Sequence, residues 1–478
     1  MAKTTIVATI GPASDNPSTL LALHRAGMTV ARLNGSHSSL DWHKATIALI
    51  RETLPELPIL LDIPGRKIRT IQLRVEPSFN VGDRVILTTD LSHDGSEKVP
   101  VNYAEFHSKL QVGVRIYADD GTLSFLVEKV SGRDVQVVAE TAGTLKSRKG
   151  INVPEIDLGQ ELVTQRDREM ITFAKRTGVD FVGISFVESS RHVEAIRSLI
   201  DAATPQIVAK VENQGGLDHL DEIAQATDII MIDRGDLSVE TSIDHVSIYQ
   251  KKIISAAQQY GKPVIVATEL LHSMIESPLP TKAEISDVTN SVIDGASAVM
   301  LSGETAVGKF PVEAVARLRS IVTLAEAHRH ASAPALANTA ASHNDLRAAT
   351  QALARTLPIS KIVVLSRTGY AARLVSMAQI QQPIIAVGND TALVRAWNLL
   401  PGTVGVHLPN VNIAADSAGT ITLEALWSSG HITQSDVVLV VLATTNDADA
   451  SLSFLQTVRV GQLAEQQAWP LAESLEAA

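Results

Sequence analysis

Short apolar runs recur along the first part of the chain, at 4–10, 29–34, 58–63, 181–186, 206–212, 229–233, 263–268 and 298–301. They consist mostly of Val, Ile, Leu and Ala and lack the polar–apolar alternation of a strand with one wet face. Runs of this kind are strands covered on both sides, as in a parallel sheet. Longer amphipathic stretches separate them, such as Thr164 to Lys175. Eight such units predict an α/β protein built on a closed (β/α)8 TIM barrel, with an open doubly wound sheet as the structural alternative. The spacing breaks once, between the third and fourth strands, where the insert is far longer than a βα unit needs. That insert has β signals at 83–88, 115–117 and 135–138, punctuated by the turn pairs Asp94-Gly95 and Asp120-Gly121. It predicts a small β-barrel lid domain at the active-site end of the barrel. After a loose Ala/Ser/His/Asn stretch at 330–344, strands at 361–365, 383–387 and 436–442 alternate with helices. The expected organisation is a barrel at 1–69 and 151–335, a lid at 70–150 and a C-terminal α/β domain at 345–478.

Composition narrows the functional classes. The chain has 478 residues, 45% hydrophobic and 19% charged, which fits several folded domains and argues against long disorder. No apolar run approaches the roughly 18 residues that span a bilayer. The N-terminus carries one lysine and a β-like run, without the longer apolar core of a signal peptide. Zero cysteines exclude disulfides, thiolate nucleophiles and cysteine–zinc sites, and a cytoplasmic location is expected. A formal charge of −11 disfavours nucleic acid as the main partner. An anionic substrate must therefore meet a local cluster of cations.

Such a cluster lies at the C-terminal strand ends, where β/α barrels carry their active sites. The second strand ends in Arg32, Asn34, Ser36 and His37, and the third in Asp62, Ile63, Lys67 and Arg69. The fifth ends in Lys210 and Glu212, the sixth in Asp233, Arg234, Gly235 and Asp236, the seventh in Thr268 and Glu269, and the eighth in Ser302, Gly303, Glu304 and Thr305. Any one tip has an ordinary reading as a solvated strand end, but the convergence of six on one face does not. Glu212 and Asp236 are hard oxygen ligands suited to Mg²⁺ or Mn²⁺. Arg32, Arg69 and Lys210 can hold phosphate and neutralise charge on a group in flight. Lys210 and Glu212, two residues apart on one strand, point the same way into the barrel mouth. Gly235 and Asp236 open a helix whose free N–H groups suit a carboxylate, and Thr268 offers a hydroxyl. One decoy, Gly303 to Phe310, nearly spells a phosphate-binding P-loop. It has Phe310 where the metal-binding hydroxyl belongs.

These tips, with Thr9-Ile10-Gly11-Pro12-Ala13-Ser14, Lys149-Gly150-Ile151-Asn152-Val153-Pro154, Pro280-Thr281-Lys282-Ala283-Glu284 and Met300-Leu301-Ser302-Gly303-Glu304-Thr305-Ala306, resemble the pyruvate kinase family in order and spacing. The resemblance is dense over 3–330 and loose beyond. It implies transfer of the phosphoryl group of phosphoenolpyruvate to ADP, giving pyruvate and ATP in glycolysis. It further implies that Mg²⁺ (or Mn²⁺) is held by Glu212 and Asp236, and that Arg32 and Lys210 hold the phosphoryl group. The substrate carboxylate would sit on Gly235, Asp236 and Thr268, with Thr268 also in the proton relay to the enolate. Asn34, Arg69, Lys149, Pro12, His37 and Trp42 would serve the nucleotide, although a structural role fits His37 equally. A homotetramer and a phosphorylated allosteric effector are also implied. Ser366 to Ala372 follows a strand and opens a helix, so it can cradle a phosphate or form an ordinary βα turn. The family's glycine-rich loop near the C-terminus is replaced by Ala443 to Asp449, whose Asp447 and Asp449 oppose a doubly phosphorylated sugar.

Several positions depart from the family pattern. Asp233, Glu269 and Glu188 put carboxylates where Ala, Gln and Arg are usual; Ser38, Gly215 and Ser238 depart as well. The three carboxylates are expected to point away or to pair with cations such as Arg234. The resemblance also implies a potassium site on Asn34, Ser36, Asp62 and the carbonyl of Ile63. Potassium-dependent members read Asp-Thr-Lys-Gly-Pro-Glu-Ile-Arg at the third tip, whereas this chain has Lys67 at the acidic position. It resembles a potassium-independent branch there, so potassium is not expected to be required and the Lys67 ammonium would stand in for it. A Mg²⁺-dependent aldolase or lyase acting on pyruvate enolate and a regulatory paralogue without turnover are the alternative functions. Lys210, Lys149 and the lid count against the first; only the odd carboxylates favour the second.

Overall fold

The eight apolar runs close into one parallel barrel in a computed structural model that describes residues 3–119, 121–154, 162–332, 342–412, 417–445 and 451–470. Its strands are Thr5–Thr9, Val30–Asn34, Ile59–Ile63, Phe181–Ile184, Gln206–Val211, Ile229–Asp233, Val264–Ala267 and Ala298–Leu301. The first pairs with the last, Thr5 opposite Ala298 and Ala8 opposite Leu301, so no edge remains. Val7, Val30, Leu60, Phe181, Val208 and Met231 fill the barrel interior. Their neighbours Ile6, Ala8, Ala31, Leu61 and Ala209 pack outward against the helices. Both faces are thus buried, which explains the unbroken apolar runs.

Local chemistry sets the helices that surround it. Thr164 caps Gln165–Thr177 in a capping box with Asp167, and Gly178 ends it in the left-handed conformation. Thr281 and Glu284 make the same box on Lys282–Asp294, and the Glu284 carboxylate also accepts from the backbone N–H of Ser273 at 2.7 Å. The Pro280 to Glu284 motif is therefore a structural clamp.

The insert leaves and returns through a narrow neck. Arg69 bridges Gly150, the Thr70 N–H donates to the Lys149 carbonyl at 2.9 Å, and the Ile151 N–H donates to the Ile68 carbonyl at 2.8 Å. Its main sheet has six strands, in the order Ile151–Asn152, Arg115–Ala118, Leu123–Ser131, Asp134–Ala139, Arg84–Thr88 and Val99–Pro100. A two-stranded sheet stands beside it. The strands at the two ends of the six-strand order, Ile151–Asn152 and Val99–Pro100, are only two residues long. Leu123–Ser131 went unpredicted, although Leu123, Phe125 and Val127 alternate inward with Phe106 and Val137.

The C-terminal domain has a five-stranded sheet, ordered Thr403–His407, Ile384–Gly388, Lys361–Leu365, Val437–Thr445 and Ser451–Arg459, with the last strand antiparallel. Apolar layers cover both faces. Its Ala396 and Leu399 join the barrel's interior cluster and close the floor at the N-terminal strand ends. Asp120, part of the 330–344 stretch, and Asp447 and Asp449 lie outside the described residues. Among the described residues, no helix is long and apolar enough to cross a membrane.

Candidate active site

Arg32, at the tip of the second strand, is 6% exposed and is fixed by two donations to Asp62 Oδ2, at 2.9 Å from Nε and 2.6 Å from Nη2. Its Nη1 donates to Thr9 Oγ1 at 3.2 Å. Asp62 fits because residue 183 is glycine; a Cβ there would lie 1.9 Å from Asp62 Oδ1. A cation is thereby held at the mouth at no cost in side-chain freedom when substrate arrives.

Lys210 and Glu212 share one strand tip, and Lys210 Nζ lies 2.6 Å from Glu212 Oε1. The same ammonium lies 3.1 Å from Asp233 Oδ2 and donates to Ser185 Oγ at 3.2 Å. Burial alone would discharge this lysine, but Glu212, Asp233 and Asp62 outweigh it and raise its pKa above the ordinary lysine value. Glu212 is fully buried and accepts from the Phe186 N–H at 2.7 Å. Phe186 adopts a φ of +56°, a conformation non-glycine residues rarely take. Carboxylate oxygens of Glu212, Asp233 and Asp236 all lie within 4.8 Å of one another. Burial works to raise the Asp233 pKa, yet Lys210 and Lys67 prevail and hold it down at about 2. Hard oxygen donors this close suit a divalent cation such as Mg²⁺ or Mn²⁺.

The sixth and seventh tips meet through Thr268, whose Oγ1 accepts from the Gly235 N–H at 2.9 Å and donates to the Ala267 carbonyl at 2.6 Å. Thr268 and Glu269 have φ values of +67° and +57°. Two consecutive residues in the left-handed region, one of them β-branched, store about 1–3 kcal/mol each and aim the hydroxyl at the mouth. Arg32, Lys67, Lys210, Asp233, Asp236 and Thr268 all line one cavity of about 320 Å³.

On the lid side, Arg69 Nη2 donates to Ser36 Oγ at 3.1 Å, and Lys149 Nζ lies 2.5 Å from Asp119 Oδ1. Asn34, Ser36, Arg69, Lys149 and His37 border the same cavity. Pro12 and Trp42 do not line it; Pro12 is exposed, and Trp42 Nε1 donates to Asp15 Oδ2 at 3.1 Å. The P-loop decoy is a short helix, Gly303–Ala306, with Glu304 and Thr305 buried, followed by an exposed Lys309 that pairs with Glu276.

Of the odd carboxylates, Glu188 and Glu269 sort as expected, onto a cation and away from the mouth, and Asp233 does not. Asp233 turns into the mouth instead of pairing with Arg234, because Lys210 lies directly before it. Arg234 instead meets Asp287 at 2.8 Å and donates to the Thr268 carbonyl at 2.7 Å. Glu188 turns aside onto Arg66 and Asn213, both at 2.6 Å, and Glu269 is exposed at the rim. Lys67 also departs from expectation: its ammonium pairs with Asp236, not with the Asn34, Ser36, Asp62 and Ile63 group. Arg32 already neutralises Asp62, whereas the carboxylates of Glu212 and Asp233 crowd Asp236. Sequence reasoning also missed Ser185, a polar strand-end residue with no motif around it, and placed Thr9 in a motif without a role, although its hydroxyl accepts from Arg32.

A β/α barrel with buried arginine and lysine facing clustered carboxylates at its mouth defines a phosphotransferase. The family description "Pyruvate kinase, barrel domain" matches residues 1–315, and "Pyruvate kinase, alpha/beta domain" matches 344–455. The chain is 37% identical to pyruvate kinase of Geobacillus stearothermophilus over 454 residues, 92% of this chain and 77% of the relative. Pyruvate kinase of Thermococcus litoralis is 37% identical over 420 residues, 85% of this chain and 88% of that one. That of Mycobacterium intracellulare is 33% identical over 466 residues, 96% and 98%. The chain belongs to the pyruvate kinase family.

Proposed function

We propose that the chain transfers the phosphoryl group of phosphoenolpyruvate to ADP, giving pyruvate and ATP, as a cytoplasmic homotetramer in glycolysis. The observation that carries this reading is the Lys210 ammonium held between Glu212 and Asp233, with Asp236 and Arg32 lining the same cavity. Arg32 and Lys210 grip the phosphoryl oxygens and neutralise charge as the group moves. The substrate carboxylate meets the N–H groups of Gly235 and Asp236 beside Thr268. Thr268, already hydrogen-bonded at its hydroxyl, belongs to the relay that delivers a proton to the enolate carbon. Arg69 and Lys149 draw the nucleotide phosphates against the lid neck, near Asn34 and His37. Glu212, Asp236 and Asp233 would hold Mg²⁺ or Mn²⁺, which supplies Lewis-acid charge neutralisation when bound. A steady-state assay should release pyruvate only when phosphoenolpyruvate, ADP and the divalent cation are all present. Cleavage without nucleotide would support a lyase instead.

The same reading holds that potassium is not required. Asn34 Oδ1 already accepts from the Ser36 N–H at 3.1 Å and Ser36 Oγ from Arg69 at 3.1 Å. Asp62 Oδ2 accepts from Arg32 at 2.6 Å, and the Ile63 carbonyl accepts from Ser185 at 3.2 Å. Lys67 adds a tethered positive charge inside the cavity. Turnover in potassium-free buffer should match that with KCl at equal ionic strength. Lys67→Glu should create a potassium requirement, and a large rate increase specific to potassium in the unaltered chain would contradict the reading.

A further inference from the structure

At the end of the barrel opposite the active site, a cavity of about 200 Å³ lies between the strand starts and the C-terminal domain. Gln206, Asp228 and Pro263 form its barrel wall, and Gly369, Arg373 and Trp397 its other wall. We propose that this cavity binds a phosphate group, free or on a small phosphomonoester, through the Arg373 guanidinium and the Trp397 indole N–H.

Unsatisfied donors point to the ligand. The Arg373 guanidinium has no hydrogen-bond or ion-pair partner among the described residues; it sits 5.9 Å from the Tyr370 ring centroid, and its Nε is buried. Trp397 is 2% exposed, and its Nε1 is likewise buried without a partner. That N–H edge faces Gly369 in the cavity wall, since a Cβ on Gly369 would lie 2.5 Å from it. Buried donors are ordinarily satisfied, and leaving two beside one cavity is costly unless an acceptor enters. The adjoining floor shows the ordinary arrangement: Arg395 crosses from the C-terminal domain and finds Asp180 Oδ1 at 2.7 Å.

The local charge has the right sign. Arg197, Lys262 and Arg373 face one carboxylate, Asp228, which already serves Arg197 at 3.2 Å and the Ile207 N–H at 2.9 Å. Lys262 Nζ donates to the Gln225 and Thr227 carbonyls, and burial first, with Arg373 next, pushes its ammonium down to about 7. In a chain of net charge −11 this excess of cations is local. Arg373 and Trp397 stand on the C-terminal-domain wall and Arg197 on the barrel side, so positive charge borders the cavity from both, which suits a multiply charged oxyanion such as phosphate. The volume is below the roughly 300–1,000 Å³ of larger ligand sites, so a dinucleotide is excluded.

Calorimetric titration of the full chain with sodium phosphate tests this, with Arg32→Met separating active-site binding. The chain and Arg32→Met should both bind phosphate. Arg373→Met should weaken the site at least about tenfold and Trp397→Phe about fivefold, while kcat at saturating substrate is retained. Should Arg373→Met misfold, Arg373→Lys still decides, because it keeps the stem and the charge but loses the guanidinium fork, and thermal melts check that Trp397→Phe is folded. Tighter binding of glycerol 3-phosphate than of phosphate would identify an ester as the ligand; equal binding would identify the free ion. Loss of all phosphate binding in Arg32→Met, or unchanged binding in both Arg373 variants, would overturn the proposal.

Discussion

Lys210 is held by three neighbours before any substrate arrives, and an ammonium so placed acts chiefly where negative charge develops. Replacing it with methionine should therefore lower kcat by at least about a thousandfold and change KM for phosphoenolpyruvate little. A variant keeping a tenth of the activity would remove lysine from the mechanism. Asp233 belongs to the same cluster, with its oxygens among those of Glu212 and Asp236. Asp233→Ala should weaken divalent binding about tenfold, read by the paramagnetic resonance of free Mn²⁺, independent of turnover. Unchanged Mn²⁺ affinity would limit Asp233 to its contact with Lys210. At this scale the sequence was legible where residues share a strand tip, as Lys210 and Glu212 do. It was illegible where side chains choose among partners: Lys67 took Asp236 and Asp233 took Lys210, because the local charge balance decides such pairings and spacing does not record it.

The barrel strands were readable because burial on both faces leaves an unmistakable apolar run. Leu123–Ser131 was harder, since its half-buried alternation is diluted by Glu128, Lys129 and Ser131. The lid neck and the helix Arg234–Glu240 meet through Glu240, whose Oε1 accepts from Asn152 Nδ2 at 2.7 Å. Burial pushes the Glu240 carboxyl up to about 7, with Asn152 opposing. Its protonated form is favoured in the fold, so this contribution is complete below the ordinary glutamate range and is lost as pH rises through about 7. Glu240→Gln should stabilise the chain at pH 8, by about 3 kcal/mol at most, and leave it nearly unchanged at about pH 4. Thermal melts at the two pH values check this; equal shifts at both would show that Glu240 is ionised throughout.

At the scale of the molecule, the C-terminal domain plugs the barrel floor with Ala396 and Leu399 and locks onto Asp180 through Arg395. Arg51 also holds Asp180, at 2.6 Å. Arg395→Ala should lower stability by about 2 kcal/mol in calorimetric melts, leaving one cation on the buried carboxylate, with kcat within twofold. A drop in kcat equal to that of an active-site variant would show the floor and mouth to be coupled. The alternation of strands and helices announced this third domain, but the plug is a contact between distant segments and no local pattern marks it. All three domains serve one reaction, which ³¹P NMR follows atom by atom. In magnesium buffer without potassium, the phosphoenolpyruvate resonance should vanish as the γ-phosphate resonance of ATP grows in equal amount. Phosphoenolpyruvate consumed into inorganic phosphate without ATP, or not consumed at all, would contradict the account.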